Sequence, residues 1–426
     1  MMKFINLLLL AVVFVSCNSG SHKINTITAD SDNGGLTLPE DFCALVVADD
    51  LGPARHIQVN DQGDIYISLN RLHKGGGIAC LRDTTNDGRA DLIQYFGRHH
   101  GTGIAFWNNH LYFGSDTLVV RYPMVYGQLL PHDGEEIVVT GLPINNQHAA
   151  KPLTFDQAGN LYVTVGAPSN ACMEQTRTKG SPGMDPCPLL ERHGGIWQFR
   201  ADQLKQDQVE DGLRYATGIR HAVAVDWNGA ENTLYALQHG RDQLHQFFPE
   251  LYDEKQSAEL PAEELLLVEE GSDFGWPYCY YDPITQQKVL GPEYGGDGTE
   301  VGVCAAKDDP ILAFPAHVAP NDLLFYTGDM FPERYQNGAF IAFHGSWNRA
   351  PEVQEGYYVV FVPFEGKIPS GDWEIFADGF AGVSPVNSPA DAQYRPCGLA
   401  QGPDGSLFVT DDVKGRVWRI MYNPAN

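Results

Sequence analysis

Positive charge is scarce in this sequence: 28 Lys and Arg residues stand against 54 Asp and Glu residues over 426 positions, and the formal net charge is −26. Such a chain repels phosphate backbones and anionic lipid, so nucleic acid is not an expected partner. The same scarcity makes any cluster of cations informative, because like charges repel at short range unless an anion lies among them.

Long apolar runs are missing beyond the start, MMKFINLLLLAVVFVSC, and that run is shorter than the ~20 residues of a membrane span. Its basic beginning and the small residue before Cys17 indicate a secretory signal. Because Ser16-Cys17 precedes polar residues, as in a bacterial lipobox, residues 1–17 are expected to be a lipoprotein signal; plain secretion is the alternative. The protein would then reside in the bacterial cell envelope, periplasmic or on the outer membrane, and contact the membrane only through lipid on Cys17.

No Pro-, Gly- or Ser-rich linker divides the chain after residue 36. Residues 18–36 are rich in Gly, Ser, Asn and Asp and are expected to form a flexible tether. Residues 37–426 exceed the common size of a domain, which favours a repeat architecture.

Cys-x-x-Cys pairs are absent as well, which argues against a zinc ribbon and covalently attached haem. In an exported protein, cysteines favour disulfides. Cys172 and Cys187 bracket one Gly- and Pro-rich loop, and Cys279 and Cys304 bracket another, so we predict these two local disulfides. The pairing stays open for the other cysteines of the mature chain, which are Cys43, Cys80 and Cys397.

Sustained 3.6-residue periodicity is confined to residues 198–213 and 244–270, so helix is expected to be minor. One β-hairpin pattern recurs six times: an apolar strand, a turn rich in Asp, Asn or Gly, and a strand centred on an aromatic residue. The six aromatic anchors are Tyr66, Tyr112, Tyr162, Tyr235, Phe340 and Phe408. The shortest intervals match the ~40–50 residues of one propeller blade. The sequence therefore predicts an all-β, six-bladed β-propeller with long loop insertions, with a β-sandwich or a β-solenoid as the alternative.

Propeller connectivity predicts where the few cations gather. The innermost strand of each blade lines the channel and the second strand returns antiparallel, so residues before the first and after the second strand share one mouth. These positions hold most of the candidates for binding, which are Arg55, His148, Lys151, Arg220, Arg241, Asp242, Arg349 and Arg395. The mouth is thus expected to bind a polyanionic small molecule; a rim of salt bridges to its own Asp residues is the alternative.

Several motifs, in order and one per expected blade, resemble the glucose/sorbosone dehydrogenase-like propellers that use pyrroloquinoline quinone (PQQ), in particular the sorbosone dehydrogenase-like branch. The resemblance covers residues 38–423. Its motifs are His148 ahead of LTFDQAGNLYVTVG, RYATGIRHAV at 214–223, HGRDQ at 239–243, DFGWPYC at 273–279, AFHGSWNR at 342–349 and YRPCGLAQGPDG at 394–405.

The resemblance implies a role for each matching residue. His148 would be the general base that takes the substrate hydroxyl proton while hydride passes to the quinone. The residues implied at the cofactor site are Arg220, Arg349, Arg395 and Trp347. Trp347 would be a platform on which the sugar stacks; a position in the core is its alternative. Ca²⁺ is implied at Gly240-Arg241, with Asp242 beside it. Lys151 is added from its spacing alone; a salt bridge to Asp156 or to the rim is its alternative. The sequence departs from the family at His221, where Asn is usual, and at HGRD, which replaces a Gly-Pro calcium loop.

The expected function is PQQ- and Ca²⁺-dependent oxidation of a sugar, sugar aldehyde or polyol. Electrons would pass to an external acceptor, because the chain has no haem motif. Two alternatives stay open: a non-catalytic propeller that binds carbohydrate or protein at the cell surface, and a Ca²⁺-dependent lactonase of similar architecture.

Overall fold

Antiparallel β-strands form most of the computed structural model, which describes residues 27–424. Within that range the strands build six sheets of four or more strands and one separate two-stranded hairpin. The innermost strand of each large sheet contacts the innermost strands of the two neighbouring sheets, so the six sheets surround a central channel. The predicted six-bladed β-propeller is confirmed.

Blades 1 to 3 follow one another along the chain, and each runs from the channel outward. The strands of blade 1 are Ala54–Val59, Ile65–His73, Gly76–Arg82 and Leu92–Phe96. Those of blade 2 are Gly101–Trp107, His110–Ser115, Val119–Pro123 and Glu136–Thr140. Those of blade 3 are Leu153–Phe155, Asn160–Val165, Gly195–Arg200 and Leu213–Thr217. Short parallel strands extend blades 2 and 3, namely Gln206–Asp207 and Ser272–Asp273.

Blades 4 to 6 carry the longest insertions. The strands of blade 4 are Ala222–Asn228, Thr233–Gln238, Glu263–Val268 and Leu312–Phe314. Those of blade 5 are Pro320–Phe325, Gly338–Phe343, Tyr358–Glu365 and Glu374–Ala377, with Ile368–Pro369 added at the edge. Those of blade 6 are Pro396–Gln401, Leu407–Asp411, Val417–Tyr422 and, from the start of the domain, Phe42–Ala48. The separate hairpin is Cys279–Asp282 with Gln287–Leu290.

Helix is minor, as expected. Within the described range the α-helices are Leu244–Phe247 and Glu254–Glu259. The 3₁₀ turns are Asn33–Gly35, Pro188–Glu191, Pro292–Tyr294, Gly302–Ala306, Glu333–Tyr335 and Pro389–Asp391. The periodicity over 198–213 does not correspond to a helix: the Gln206 side chain bonds both the amide and the carbonyl of Arg200 and holds this segment as a loop. No helix among residues 27–424 is long and apolar enough to cross a membrane.

The aromatic anchors are buried between the blades, which explains why they mark the repeat. Three of the four tyrosines also donate their hydroxyl to a carbonyl in the next blade. These hydrogen bonds join Tyr66 to Leu129 at 2.9 Å, Tyr112 to Ala201 at 2.7 Å and Tyr235 to Lys367 at 2.8 Å. A buried phenol thus contributes apolar area to the core while its polar tip is satisfied.

The ends of the propeller domain differ in part from the expected boundaries. Asp30 lies in the segment predicted as a tether, yet its carboxylate accepts the amide of Val46 at 2.7 Å and pairs with Arg89 at 2.6 Å. This segment therefore packs on the outer strand of blade 6. The predicted signal at residues 1–17, including Cys17, lies outside the described residues.

Both predicted disulfides are present, Cys172–Cys187 and Cys279–Cys304. Each closes a loop insertion, one in blade 3 and one in blade 4. The three remaining described cysteines, Cys43, Cys80 and Cys397, are free thiols.

The buried carboxylate of Asp226, on the innermost strand of blade 4, should make the stability of the protein depend on pH. Its carboxylate accepts the amides of Trp227 and, in blade 5, of Phe325, and burial raises its pKa to about 7. Because the folded-state pKa lies above the unfolded value near 4, this group adds stability at low pH that is lost as the pH rises through about 7. The unfolding temperature of Asp226→Asn should therefore rise relative to that of wild type when the pH is changed from 5 to 8. Asp61→Asn, which removes an exposed carboxylate, controls for net charge; equal pH slopes for wild type and Asp226→Asn would contradict the assignment.

Candidate active site

The predicted residues divide between two clusters on one mouth of the channel. The first cluster lines a cavity beside blades 3, 4 and 5, and it contains five of the predicted residues, which are His148, Arg220, Gly240, Asp242 and Trp347. The second cluster lies where blade 6 meets blade 1 and contains Arg395. Three predicted residues, Lys151, Arg241 and Arg349, direct their charged groups into neither cluster.

His148 presents one ring nitrogen to the cavity. Its Nδ1 lies 2.6 Å from the carbonyl oxygen of Ala167, which can only accept, so Nδ1 carries the proton of the neutral ring. Nε2 then has a free lone pair, and no partner for it exists among the described residues. Burial, and next the charge of Arg220, lower the pKa of His148 to about 3. The imidazole is therefore neutral, and it can accept a proton at Nε2.

His148 belongs to a stack of three imidazoles. Its ring lies nearly parallel to that of His221 with centroids 4.5 Å apart, and His221 meets His239 edge-on at 5.2 Å. Burial, followed by the neighbouring rings and Arg220, lowers the pKa of His221 well below its usual value. His221, the departure from the family pattern, thus forms the wall against which His148 is held.

Arg220 forms the floor of the cavity. Its Nη2 donates to Asp242 Oδ2 at 2.8 Å, and its Nη1 donates to the Gly240 carbonyl at 2.9 Å. Asn170 supplies two more acceptors, so four hydrogen bonds fix the guanidinium in place. Burial would raise the pKa of Asp242, but Arg220, His317 and Arg177 lower it to about 2, and the carboxylate is ionised.

Arg177 is a cavity residue that sequence reasoning missed. Its Nη2 lies 3.1 Å from Asp242 Oδ2, the same oxygen that Arg220 binds. The other oxygen, Oδ1, accepts from Asn348 at 3.0 Å. One carboxylate thus serves two guanidinium groups. Arg177 lies in the long loop of blade 3, outside the hairpin repeat. Two signals could have placed that loop at the mouth, namely its position after a second strand and the Cys172–Cys187 pair.

Glu263 is a second residue that the sequence did not indicate. It begins the third strand of blade 4, and its two carboxylate oxygens accept the amides of Gly240 at 2.8 Å and Ala319 at 3.3 Å. Burial raises its pKa to about 8, so the group is largely uncharged at neutral pH. The carboxyl therefore orders the backbone of the cavity without cancelling its positive charge.

Lys151 is completely buried, close to the mouth. Its Nζ donates to the Ala149 carbonyl at 2.6 Å, and no ion pair to it occurs within residues 27–424. Asp156 does not pair with it, because the Asp156 carboxylate closes its own hairpin turn at Ala158 and Asn160. Burial lowers the pKa of Lys151 to about 8, partly offset by Asp116.

Arg241 and Arg349 have structural partners. Arg241 lies buried against Glu293, which comes from the insertion of blade 4. Arg349 donates to the carbonyls of Val353, Ala258 and Ala316 and pairs with Glu355 at 3.1 Å. Trp347, two residues before Arg349, is 54% exposed and is one of the residues that line the cavity.

The second cluster repeats the arrangement of the first. Asp412 pairs with Arg55 at 3.2 Å and contacts the His344 ring at 2.8 Å. Burial would raise the pKa of Asp412, but His344 and next Arg55 hold it low. Arg395 lies beside this group, donates to the carbonyls of His344 and Gly345, and has the Tyr357 ring 5.8 Å away. Two further histidines divide between the clusters: His317 lines the first cavity, and His344 belongs to the second cluster.

The fold and this geometry define a six-bladed propeller with a cationic mouth. Within that class the sequence model of the TrAA12-like family matches residues 36–423, and the chain belongs to this family. The predicted resemblance to the propellers that use PQQ is confirmed by named relatives and by solved structures of similar fold.

Two curated relatives are each 26% identical to the chain. One is the PQQ-dependent pyranose dehydrogenase of Coprinopsis cinerea, over 81% of this chain and 52% of that protein, so the chain spans about half of its length. The other is the PQQ-dependent sugar dehydrogenase of Hypocrea jecorina, over 91% and 86%. The calcium structure of the Trichoderma reesei family AA12 protein matches with a TM-score of 0.73 at 19% identity, covering 94% of this chain and 100% of that one, which shows the fold.

The residues present fit a planar anion such as PQQ, which carries three carboxylates. At the first cluster two guanidinium groups, Arg177 and Arg220, share the one ionised carboxylate of Asp242, so an anion would find positive charge there. His221 Nδ1 is buried without a partner among the described residues. For calcium, the loop offers the ionised Asp242 carboxylate and backbone carbonyls, the ligand types that Ca²⁺ takes. No group of three or more His, Cys, Asp or Glu side chains able to hold a metal occurs in residues 27–424.

Lys151→Met tests whether this buried ammonium has a functional purpose. Removing a buried charge without an ionic partner should raise the free energy of unfolding by about 1–4 kcal/mol at neutral pH. Because the folded-state pKa lies below the unfolded value, wild-type stability rises between pH 8 and about 10, and its deficit relative to Lys151→Met should shrink there. Thermal unfolding at pH 7 and pH 10 measures both effects, with the exposed Lys367→Met as control. Loss of stability in Lys151→Met would show that the ammonium is structural.

Proposed function

We propose that the chain is a PQQ- and Ca²⁺-dependent dehydrogenase that oxidises a sugar, sugar aldehyde or polyol. One observation carries the proposal: an ionised carboxylate, Asp242, is shared by two guanidinium groups beside the neutral imidazole of His148. The cavity thus combines excess positive charge with a proton acceptor, the two features that oxidation of a hydroxyl by an anionic quinone requires.

Most of the predicted residues have a task in this proposal. The side chains that would hold the cofactor are Arg220, Arg395 and, as an exposed stacking surface, Trp347. Lys151 would contribute only its positive charge, from outside both clusters. Ca²⁺ would bind at the Gly240-Arg241 loop with Asp242. Bound PQQ would supply the two-electron acceptor that takes the hydride. His148 Nε2 accepts the hydroxyl proton, while the carbonyl of Ala167 holds the ring in the required tautomer.

Electrons would then leave to an external acceptor. Export to the cell envelope, with lipid on Cys17, remains part of the proposal; the two disulfides fit an oxidising compartment. The relatives that are named as PQQ-dependent sugar dehydrogenases support the substrate class.

Binding and turnover are measured separately. PQQ is titrated calorimetrically into purified protein with Ca²⁺, and dye reduction is then followed over aldoses, sorbosone and polyols. Binding with turnover of at least one substrate is the expected result. No heat of PQQ binding would overturn the proposal, and binding without turnover on any substrate would favour a non-catalytic binding propeller.

His148→Asn should lower kcat by about 10²–10⁴-fold, the usual contribution of a positioned base. Asn still donates to the Ala167 carbonyl but has no acceptor where Nε2 lies, so PQQ affinity should stay within about threefold of wild type. His132→Asn, on an exposed loop of blade 2, is the matched control. Full turnover by His148→Asn would remove His148 from the mechanism.

Arg395→Ala should weaken PQQ binding about tenfold or more, with a smaller change in KM for the substrate. Arg349→Ala is the comparison, because Arg349 is held by three carbonyls and Glu355. We expect that variant to lose thermal stability more than PQQ affinity. If calorimetry showed a larger loss of PQQ affinity in Arg349→Ala than in Arg395→Ala, Arg349 would be the cofactor ligand and Arg395 the structural residue.

A further inference from the structure

The loop between the second and third strands of blade 3 reaches over the cavity and is fixed at several points. The disulfide Cys172–Cys187 closes it. Met173 pairs with Gly183 in a β-bridge, and the amide of Gly180 donates to the Phe247 carbonyl at 2.9 Å. The loop is therefore an ordered part of the mouth, and the position of its tip depends on the Cys172–Cys187 disulfide that closes it.

Arg177 is the side chain that this loop brings into the cavity. Its own backbone has φ of +50°, in the left-handed region that few non-glycine residues adopt. The guanidinium bonds Asp242 in blade 4, Gln243, and Gln147, the residue before His148. Arg177 therefore bridges the segment of the proposed base and the loop of the proposed metal.

The arrangement leaves positive charge unbalanced. Asp242 Oδ2 lies 2.8 Å from Arg220 and 3.1 Å from Arg177, so two cations share one anion. The two arginines also differ in access: the Arg220 side chain is 4% exposed, whereas that of Arg177 is 31% exposed. Arg220 is locked in the floor, and Arg177 is the cation that a ligand entering from solvent meets.

We propose that Arg177 is a ligand for a carboxylate of the bound cofactor, presented by the disulfide-closed loop. The inference rests on the proposed function, because it takes PQQ as the anion. A planar guanidinium matches a carboxylate through two parallel hydrogen bonds, which suits Arg better than Lys at this position. The alternative is that Arg177 only fixes its loop to Asp242.

Calorimetric titration of PQQ into Ca²⁺-containing protein distinguishes these roles without any measurement of turnover. Arg177→Met should lower PQQ affinity by about 10–100-fold, the effect of losing hydrogen bonds between charged groups. Arg177→Lys keeps the charge without the planar fork and should fall between Arg177→Met and wild type. It also provides a second reading if Arg177→Met folds poorly in a thermal unfolding scan.

The matched control is Lys179→Met, in the same loop and with the same loss of charge. Lys179 is 61% exposed and pairs with Glu250 at 3.3 Å, away from the cavity. Its PQQ affinity should stay within about threefold of wild type, since exposed pairs contribute little. Equal affinities of Arg177→Met and Lys179→Met would overturn the inference.

Removing the disulfide tests the role of the loop. The double variant Cys172→Ser/Cys187→Ser should also weaken PQQ binding, because the loop no longer holds Arg177 in place. In the Arg177→Met background the same change should have little further effect, since the two changes remove one contact. Fully additive losses of PQQ affinity would contradict the idea that the loop positions Arg177.

The same titrations separate failure of the inference from failure of the proposed function. If wild type does not bind PQQ, both are overturned. If wild type binds PQQ and Arg177→Met binds it equally well, the inference alone is overturned.

Discussion

Closure of the ring is the constraint on which the rest of the structure depends. Strand Phe42–Ala48 pairs with Val417–Tyr422, so the two ends of the domain complete one blade together. Hydroxyl groups on second strands then donate to the inner strand of the next blade. These bonds join Ser68 to Thr102 at 2.6 Å, Thr164 to Ala222 at 2.8 Å and Thr410 to Arg55 at 2.6 Å. The last crosses the closure itself and ends on a residue of the mouth, so ring closure also positions the cations.

Charge at the mouth follows a single rule in both clusters: each ionised carboxylate serves more than one basic group. Asp242 holds Arg177 and Arg220, and Asp412 holds Arg55 and His344. With a net charge of −26, the chain as a whole repels an anion at long range. Salt screens that repulsion beyond ~8 Å but weakens buried contacts much less. Affinity for an anion must therefore come from these short, partly buried contacts.

The repeat made the fold predictable. The same hairpin occurs in every blade, so its aromatic anchors and turns could be counted, and connectivity then assigned His148, Arg220 and Asp242 to one mouth. Both disulfides were predictable because each pair is local. The insertions do not repeat from blade to blade, however, so residues within them, such as Arg177, could not be located from the repeat.

Arg241 and Arg349 illustrate the same limit. Their positions after a second strand were read correctly, but a side chain follows its nearest acceptors. Glu293 from the blade 4 insertion pairs with Arg241, whereas Arg349 donates to the carbonyls of Ala258, in a helix, and of Ala316, in a loop. Such partners are distant in sequence and belong to no motif, so only the folded chain shows them.

The arginines and the proposed base are linked by electrostatics. In the structure, burial and the charge of Arg220 both lower the pKa of His148, which keeps the ring neutral but makes it a weak base. A negative charge bound at Arg220 offsets the second of these causes and raises that pKa toward the range where a base is effective. The anion that fills the cavity would therefore also strengthen His148 as a proton acceptor. Ligand binding and the pKa of His148 are thus coupled through Arg220. The charge of Arg220 lowers that pKa in the free protein, and the bound anion would neutralise the same charge.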